Sequence, residues 1–549
     1  MPGEWQHEAL PELQVASPGS SRETARVALP SPGVLLPPRA IPVAGVRVTR
    51  FRFEGNTLFK DKELAALVDD FLNRELQEED IDEIAYRLTL HHVNKGYISS
   101  GVTIPDRRPR DGELEIVITE GRLTMVIVQG TQRLAKWYAR QRVRRGSDEP
   151  LHFPTLQHQL QILQTDPNIR RINAELKPSH LPGEATLLME IAESPTWTCG
   201  LDFHNYQQPD TGAEQLELWA NCQNLTGAGD YLQVRRGLLS GGVDDPGFAG
   251  LDNFTGRYRL PILADDTQFE LYGQTRDHVV VDESFQDLEI EGSTWLAGTG
   301  LRRPLMRRFD NELSIQSELW AGVSLDRQHS ESTLLGQPFS PSPGYVNGEL
   351  DLTIVRMNLE WTKRSRGSVF ALQGTFSQGL DMFGATQSPI EPDEDFFTCR
   401  LNGQYLRRVR ERGDLLVVKG GFQVSNDGVP SPEQWTLGGR HTIRGYRENT
   451  LLSDNGACLG VEYRYPLIDP DSASSWRISM VPFLDAGYAW TKDGDDDDWL
   501  ASAGLGLMME HSRFGSGEIF WGVPFHRRGD HKGNLQDAGI HFRITLKPF

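Results

Sequence analysis

The sequence predicts an all-β transmembrane barrel of about 16 antiparallel strands, preceded by two small α+β modules of order β-α-α-β-β. Three observations carry that class. Helical periodicity stops at Thr196, and from there segments of about ten residues alternate apolar with polar between Gly, Asp, Asn and Pro. The connections between these segments alternate short (Thr226 to Asp230, Leu263 to Asp266, Glu411 to Asp414) with long (Asp326 to Asn347, Asp381 to Asp395, Ser425 to Asn455). Upstream, one order of strands and helices occurs twice, the second time within about 75 residues, as in tandem copies of a module.

Composition narrows the field. The 549 residues carry 56 Lys+Arg against 76 Asp+Glu, a net charge of −20, and a nucleic-acid partner is excluded because phosphate binding needs clustered cations. No apolar run approaches the roughly 18 residues of a membrane-spanning helix. A barrel escapes that test, since its strands hide their apolar faces in alternation. The opening Met1-Pro2-Gly3-Glu4 has neither the basic nor the apolar region of a secretory signal, as expected of a mature form.

Residues 1–42 hold eight prolines, from Pro2 to Pro42, and are expected to be a tail or linker, with a short helix over Glu4 to Leu10 that Pro11 would stop. The first module is placed at 43–121. Val46, Val48, Phe51 and Phe53 read as extended, Gly55-Asn56 as a turn, and Asp61 as the cap of a helix through Leu64, Leu67 and Val68. Ile81, Ile84, Ala85, Leu88 and His92 recur at helical spacing, Gly96 ends that helix, and strands Tyr97 to Ile104 and Leu114 to Thr119 follow. The second module, 122–194, has a strand at Val126 to Val128, helices at Leu134 to Val143 and through Leu156, Leu160 and Leu163, and strands at Arg170 to Leu176 and Ala185 to Ile191.

The barrel is placed at 195–549. Its expected strands are 196–206, 213–224, 230–240, 252–263, 266–276, 290–303, 311–325, 348–363, 367–380, 395–409, 413–425, 456–467, 477–490, 500–510, 515–524 and 537–548. In the first of these Trp197, Cys199, Leu201 and Phe203 face lipid, and in the second Leu216, Leu218, Ala220 and Cys222 share one face. A turn centred on Pro209 to Gly212 would set Phe203 opposite Leu218 and Cys199 opposite Cys222. Two reduced thiols are expected there, with a cross-strand disulfide as the alternative. Tyr463, Tyr465, Tyr488 and Trp490 supply candidates for the interfacial girdles, and Ile540, Phe542, Ile544 and Leu546 alternate in a last strand that ends at Phe549.

Several motifs now resemble those of a known family. Phe53-Glu54-Gly55-Asn56-Thr57-Leu58-Phe59, Gly96-Tyr97 and Leu163-Gln164-Thr165-Asp166-Pro167 are similar to stretches of POTRA domains, and Asn224 to Asp230 is similar to a barrel turn of the TpsB transporters of two-partner secretion. Leu437-Gly438-Gly439-Arg440-His441-Thr442-Ile443-Arg444-Gly445-Tyr446 resembles the arginine-glycine-aromatic tip of that family's long pore loop, here 426–455. The resemblance implies two POTRA domains in the periplasm and an outer-membrane barrel among lipids, acting as a monomer. The implied partner is a secreted exoprotein, a TpsA-like β-helical adhesin or haemolysin, captured unfolded and passed through the pore. A BamA-like assembly factor and a POTRA-tethered porin or receptor are the alternatives. Some members carry an N-terminal plug helix, and the sole helix candidate here ends at Pro11.

Residue chemistry supports a specific site. Gly438, Gly439 and Gly445 let a loop tip turn tightly, and Arg444, confined in a lumen, needs a carboxylate held in a plane. On the thirteenth strand Ile478, Met480, Leu484 and Ala486 fall outward and Val481, Phe483, Asp485 and Gly487 inward, so Asp485 is a candidate partner, one to which the resemblance also points. Glu462, inward on the neighbouring strand, is the rival. No nucleophile elbow, Walker A loop or His-Glu-x-x-His helix is present, so no enzyme, cofactor or metal is expected. Adjacent His91 and His92 read as ordinary helix residues, and Asp493 to Asp498 as a solvated extracellular loop.

Overall fold

The computed structural model describes residues 26–28, 46–107, 111–239, 251–280, 288–310, 315–389, 391–410, 412–468, 475–492, 497–511, 513–528 and 533–547. The short helix expected over Glu4 to Leu10 and the terminal Phe549 lie outside these residues, as does most of the acidic run. Two compact units divide the chain, Arg22–Ser194 with Gly227–Gly229, and Pro195–Thr226 with Asp230–Phe549.

The smaller unit holds the two modules. In the first, strand Glu113–Thr119 pairs in parallel with Arg50–Glu54 and antiparallel with Gly101–Thr103. Its alternate residues Leu114, Ile116 and Ile118 are buried and meet Leu64, Ile81, Ile84 and Leu88 from helices Asp61–Ala66 and Glu78–Asn94. Burying alternate strand positions against a helical stripe is what period-2 and period-3.6 apolar patterns require of each other. Asp61 is the first helical residue rather than the cap, which is Lys60. The expected strand from Tyr97 shortens to Gly101–Thr103 because Tyr97 to Ser100 closes a turn, Ser100 N–H donating to the Tyr97 carbonyl at 3.0 Å.

In the second module, Glu184–Glu193 lies between Arg122–Gln129, which it pairs in parallel, and Ile169–Pro178, which it pairs antiparallel. Helices Lys136–Arg144 and Phe153–Gln164 cover one face through Tyr138, Ala139, Leu156 and Leu160. The tail is not wholly irregular. Arg26–Ala28 forms a strand, pairing in parallel with Asn173, Ala174 and Glu175.

The larger unit is a closed antiparallel barrel. Its strands are β1 (Trp197–His204), β2 (Gln215–Gln223), β3 (Tyr231–Leu239), β4 (Leu251–Pro261), β5 (Gln268–Val279), β6 (Ile290–Asp310), β7 (Ile315–Leu334), β8 (Glu349–Arg364), β9 (Ser368–Gly379), β10 (Phe397–Arg408), β11 (Leu415–Ser425), β12 (Asn455–Pro466), β13 (Trp476–Trp490), β14 (Asp498–His511), β15 (Gly515–Pro524) and β16 (Ile540–Leu546). β1 closes on β16, Leu201 facing Leu546. Its burial is inverted relative to a water-soluble protein: Leu218, Leu301, Leu484 and Trp521 are more than half exposed, while Asp202, Gln274, Glu462 and Asp485 are buried. Apolar side chains outward and charges inward suit a wall standing in hydrocarbon around a polar lumen.

Two local expectations need correction. β1 and β2 pair Cys199 with Ala220 and Trp197 with Cys222, two positions from the expected register, because the connecting residues 205–214 include a 3-10 turn at Pro209–Thr211 that moves the hairpin axis. The face of each side chain survives a shift of two, and all four cysteines are free thiols. β6 and β7 are also longer than expected, at 21 and 20 residues. β6 continues past Pro304, which has no N–H for the ladder, by a register shift between Pro304 and Met306. β7 continues beyond Leu325 with Asp326, Gln328, Ser330 and Ser332 buried while its outward face turns polar, so no lipid-facing apolar stripe marks it.

Candidate functional site

Residues 426–454, between β11 and β12, supply the site. A 3-10 turn at Ser431–Glu433 leads into a two-stranded ladder, Trp435–Leu437 with Leu451–Ser453, that carries a tip at 438–450. Trp435, Leu437, Ile443 and Tyr446 are at most 5% exposed and cluster with Ala489 of β13 and Leu500 of β14. A loop bearing its own apolar core is thereby held inside a barrel whose other inward residues are largely polar.

Arg444 lies at the tip, 3% exposed. Its Nε and Nη2 donate to Asp485 Oδ2 and Oδ1 at 2.7 and 2.8 Å, and its backbone N–H donates to the same carboxylate at 3.1 Å. Nη1 donates to Glu462 Oε2 at 2.8 Å. The two rival partners are therefore both partners, one on β13 and one on β12. Glu462 also receives Arg464 through Nε and Nη2 at 2.9 and 2.7 Å, with Lys419 Nζ at 3.8 Å. The guanidinium lies 3.8 Å from the Phe483 ring centre and 5.1 Å from that of Phe520. Bidentate geometry, a second carboxylate and an aromatic face together satisfy a desolvated guanidinium as a lysine ammonium could not.

The neighbouring tip residues are fixed by other means. Gly445 has φ +93°, and a Cβ there would stand 2.8 Å from the Gly522 backbone, while one on Gly522 would stand 2.7 Å from Gly445. Two backbones touch where no side chain fits. Tyr446 donates its hydroxyl to the carbonyls of Ala501 and His526, at 3.1 and 2.9 Å.

Sequence reasoning missed further anchors. Arg440 meets Glu518 of β15 at 2.9 and 3.2 Å, with the Tyr206 hydroxyl donating to the same carboxylate at 2.7 Å. At the root of the loop, Glu433 receives two hydrogen bonds from Arg356 of β8, at 2.7 and 2.8 Å, and Arg356 Nε reaches Asp326 of β7 at 2.7 Å. Alternation marks Arg356 as inward, but Glu433 lies in irregular chain with no period, so no pattern pairs them.

Between the loop and the opposite wall, an open polar cleft runs along the inner faces of β4 to β10, lined by Arg257, Glu270, Arg276, Arg356 and Arg400 among others. His92 is buried with its Nδ1 2.8 Å from the Leu88 carbonyl. From the acidic run, Asp497 accepts a hydrogen bond from the Tyr488 hydroxyl at 2.6 Å. Among the described residues no group of three His, Cys, Asp or Glu could hold a metal ion.

Residues 183–509 match the family model "Haemolysin secretion/activation protein ShlB/FhaC/HecB", and residues 46–121 match the ShlB-type POTRA domain. The chain is 22% identical over 503 residues to the outer membrane transporter CdiB of Dickeya dadantii, covering 86% of this chain and 82% of that one. It is 24% identical over 499 residues to the hemolysin transporter protein ShlB of Serratia marcescens, covering 86% and 80%. In fold it is similar to the solved structure of CdiB from Escherichia coli, with TM-score 0.67 and 20% identity over 94% of this chain and 92% of that one.

Proposed function

The chain belongs to the ShlB/FhaC/HecB family and is an outer-membrane transporter of two-partner secretion, its POTRA domains in the periplasm; from that premise we propose how it handles its secreted partner. The modules at 43–121 and 122–194 take the unfolded exoprotein by its extended backbone, an exposed strand edge giving hydrogen bonds without demanding a folded client. The client then moves outward along the polar wall of β4 to β10, past a loop whose tip stays on the opposite side. Arg444, Gly445 and Tyr446 are the pinning residues, and Asp485 and Glu462 the wall that receives them. With no nucleotide motif in the sequence, folding of a β-helical client outside the cell supplies the direction. The transporter works as a monomer among outer-membrane lipids.

The observation that carries this reading is the full satisfaction of Arg444 by two buried carboxylates from adjacent strands. Removing one partner of such a pair costs about 3 to 5 kcal/mol, so a tip held this way is a fixed strut rather than a mobile flap. The test is a two-protein reconstitution, with the purified transporter in liposomes and a candidate β-helical exoprotein offered unfolded. Protease-protected client on the far side is the expected result. Ion conductance with no client transfer would instead make the chain a POTRA-tethered porin.

A further inference from the structure

Charge is distributed unequally between the two ends of the barrel. β1 begins where the periplasmic modules end, so the β6–β7, β8–β9 and β10–β11 turns lie at the periplasmic rim. Residues 302–314, 363–367 and 407–414, which form those turns and flank them, contain eleven Lys and Arg against four Asp and Glu. Three connections at the other end, 281–289, 381–395 and 491–498, contain fourteen acids and one lysine. In a chain of net charge −20 a basic rim is a local departure, not an echo of composition.

The rim cations also face a defined direction. On β6 outward Leu301 is followed two residues later by exposed Arg303, on β8 outward Trp361 by exposed Lys363, and on β10 Tyr405 by exposed Arg407. Positions two apart share a face, so each cation stands on the lipid side of the wall beside an outward apolar or aromatic residue; exposed Leu305 and Val409 lie beyond Arg303 and Arg407, so those two cations are flanked by apolar surface on both sides. Trp361 packs edge-on against Phe370 at 5.3 Å, and Lys363 pairs across the ladder with that same Phe370. Aromatic rings at this depth mark the boundary between acyl chains and headgroups, and long cationic side chains beside them reach phosphate level. The turns add exposed Arg366 and Arg410.

We propose that the periplasmic rim of β6 to β11 is a binding surface for anionic glycerophospholipid headgroups of the inner leaflet, with the cations outside Leu301, Trp361 and Tyr405 receiving the phosphates. A client travelling in the lumen would not meet these residues, because they point away from it. The surface holds the barrel at a fixed depth by electrostatic attraction, to which each cation near an anionic leaflet contributes independently of the loop lock.

The experiment uses the full chain in detergent, titrated with phosphatidylglycerol or phosphatidylcholine and followed by native mass spectrometry. The wild type is expected to retain phosphatidylglycerol at least about tenfold more tightly than phosphatidylcholine, with retention falling as salt rises. The K363Q/R366Q/R407Q/R410Q variant is expected to lose that preference while keeping the heat-modifiable gel shift of a folded barrel. Should that variant fail to fold, K363Q/R407Q alone is measured for a smaller loss in the same direction. Equal retention of the two lipids, an unchanged preference in a folded variant, or displacement of the lipid by inorganic phosphate or an acidic peptide at equal charge would each overturn the proposal.

Discussion

At the scale of single residues, the loop is held by arginine–carboxylate pairs buried between loop and wall. Arg444 takes Asp485 and Glu462, Arg440 takes Glu518, and Arg356 of the wall takes Glu433 of the loop. Charges this deep are tolerable only because every partner is present, and deleting one side leaves the other desolvated and short of its strongest partner. Arg356→Ala should therefore remove the bidentate partner of Glu433 and one of the partners of Asp326, which are 4% and 3% exposed, and lower stability by about 3 kcal/mol. The midpoint of the heat-induced gel shift should fall by several degrees, and single-channel conductance should rise as the loop root loosens. Arg356→Lys, which keeps charge without the planar fork, should fall between; a variant with unchanged midpoint and conductance would show that the root anchor holds nothing. The residues of the tip were legible beforehand because alternation on β13 fixed the inward face of Asp485 and the glycines marked the turn. Arg356 with Glu433, and Arg440 with Glu518, were not, because each joins a strand to irregular chain 77 or 78 positions away.

At the scale of elements, period-2 alternation carried most of the information. It located sixteen strands and the face of each side chain, since a lipid-facing wall forces apolar residues to every second position. It failed where the rule relaxes. Beyond Leu325 the outward face of β7 turns polar, Pro304 is bypassed by a register shift, and the β1–β2 register depends on a 3-10 turn no alternation encodes. In the modules, the two-residue strand Glu75–Leu76, paired with Val46–Arg47, was too short to leave a pattern. Strand orientation makes a prediction opposite to that for a soluble protein. Leu484 is 51% exposed, yet Leu484→Arg puts a charge into hydrocarbon at a cost of about 2 to 4 kcal/mol near the midplane. The variant should yield little heat-modifiable protein in the outer-membrane fraction. Normal assembly of Leu484→Arg would contradict lipid exposure of that face.

At the scale of the molecule, a closed sheet solves two problems together. It leaves no backbone donor or acceptor facing hydrocarbon, and it encloses a space in which charges stay buried from lipid but paired with one another. The smaller unit has the ordinary arrangement of a water-soluble protein, with Leu, Ile and Val in its cores. Fold class, module order and membrane were legible in the sequence since they rest on periodicities spread over hundreds of residues. The wiring of the loop to the wall was only partly so, since it rests on single contacts between distant positions.

The central claim is that Arg444 and Asp485 form one ion pair that pins the loop inside the barrel, and a charge-exchange cycle on partner secretion tests it most directly. Arg444→Asp and Asp485→Arg should each cut secretion at least about tenfold, and the exchanged double variant should recover a substantial part of it, with Glu462 keeping recovery incomplete. Losses that simply multiply in the double variant, with no recovery, would contradict a direct pair.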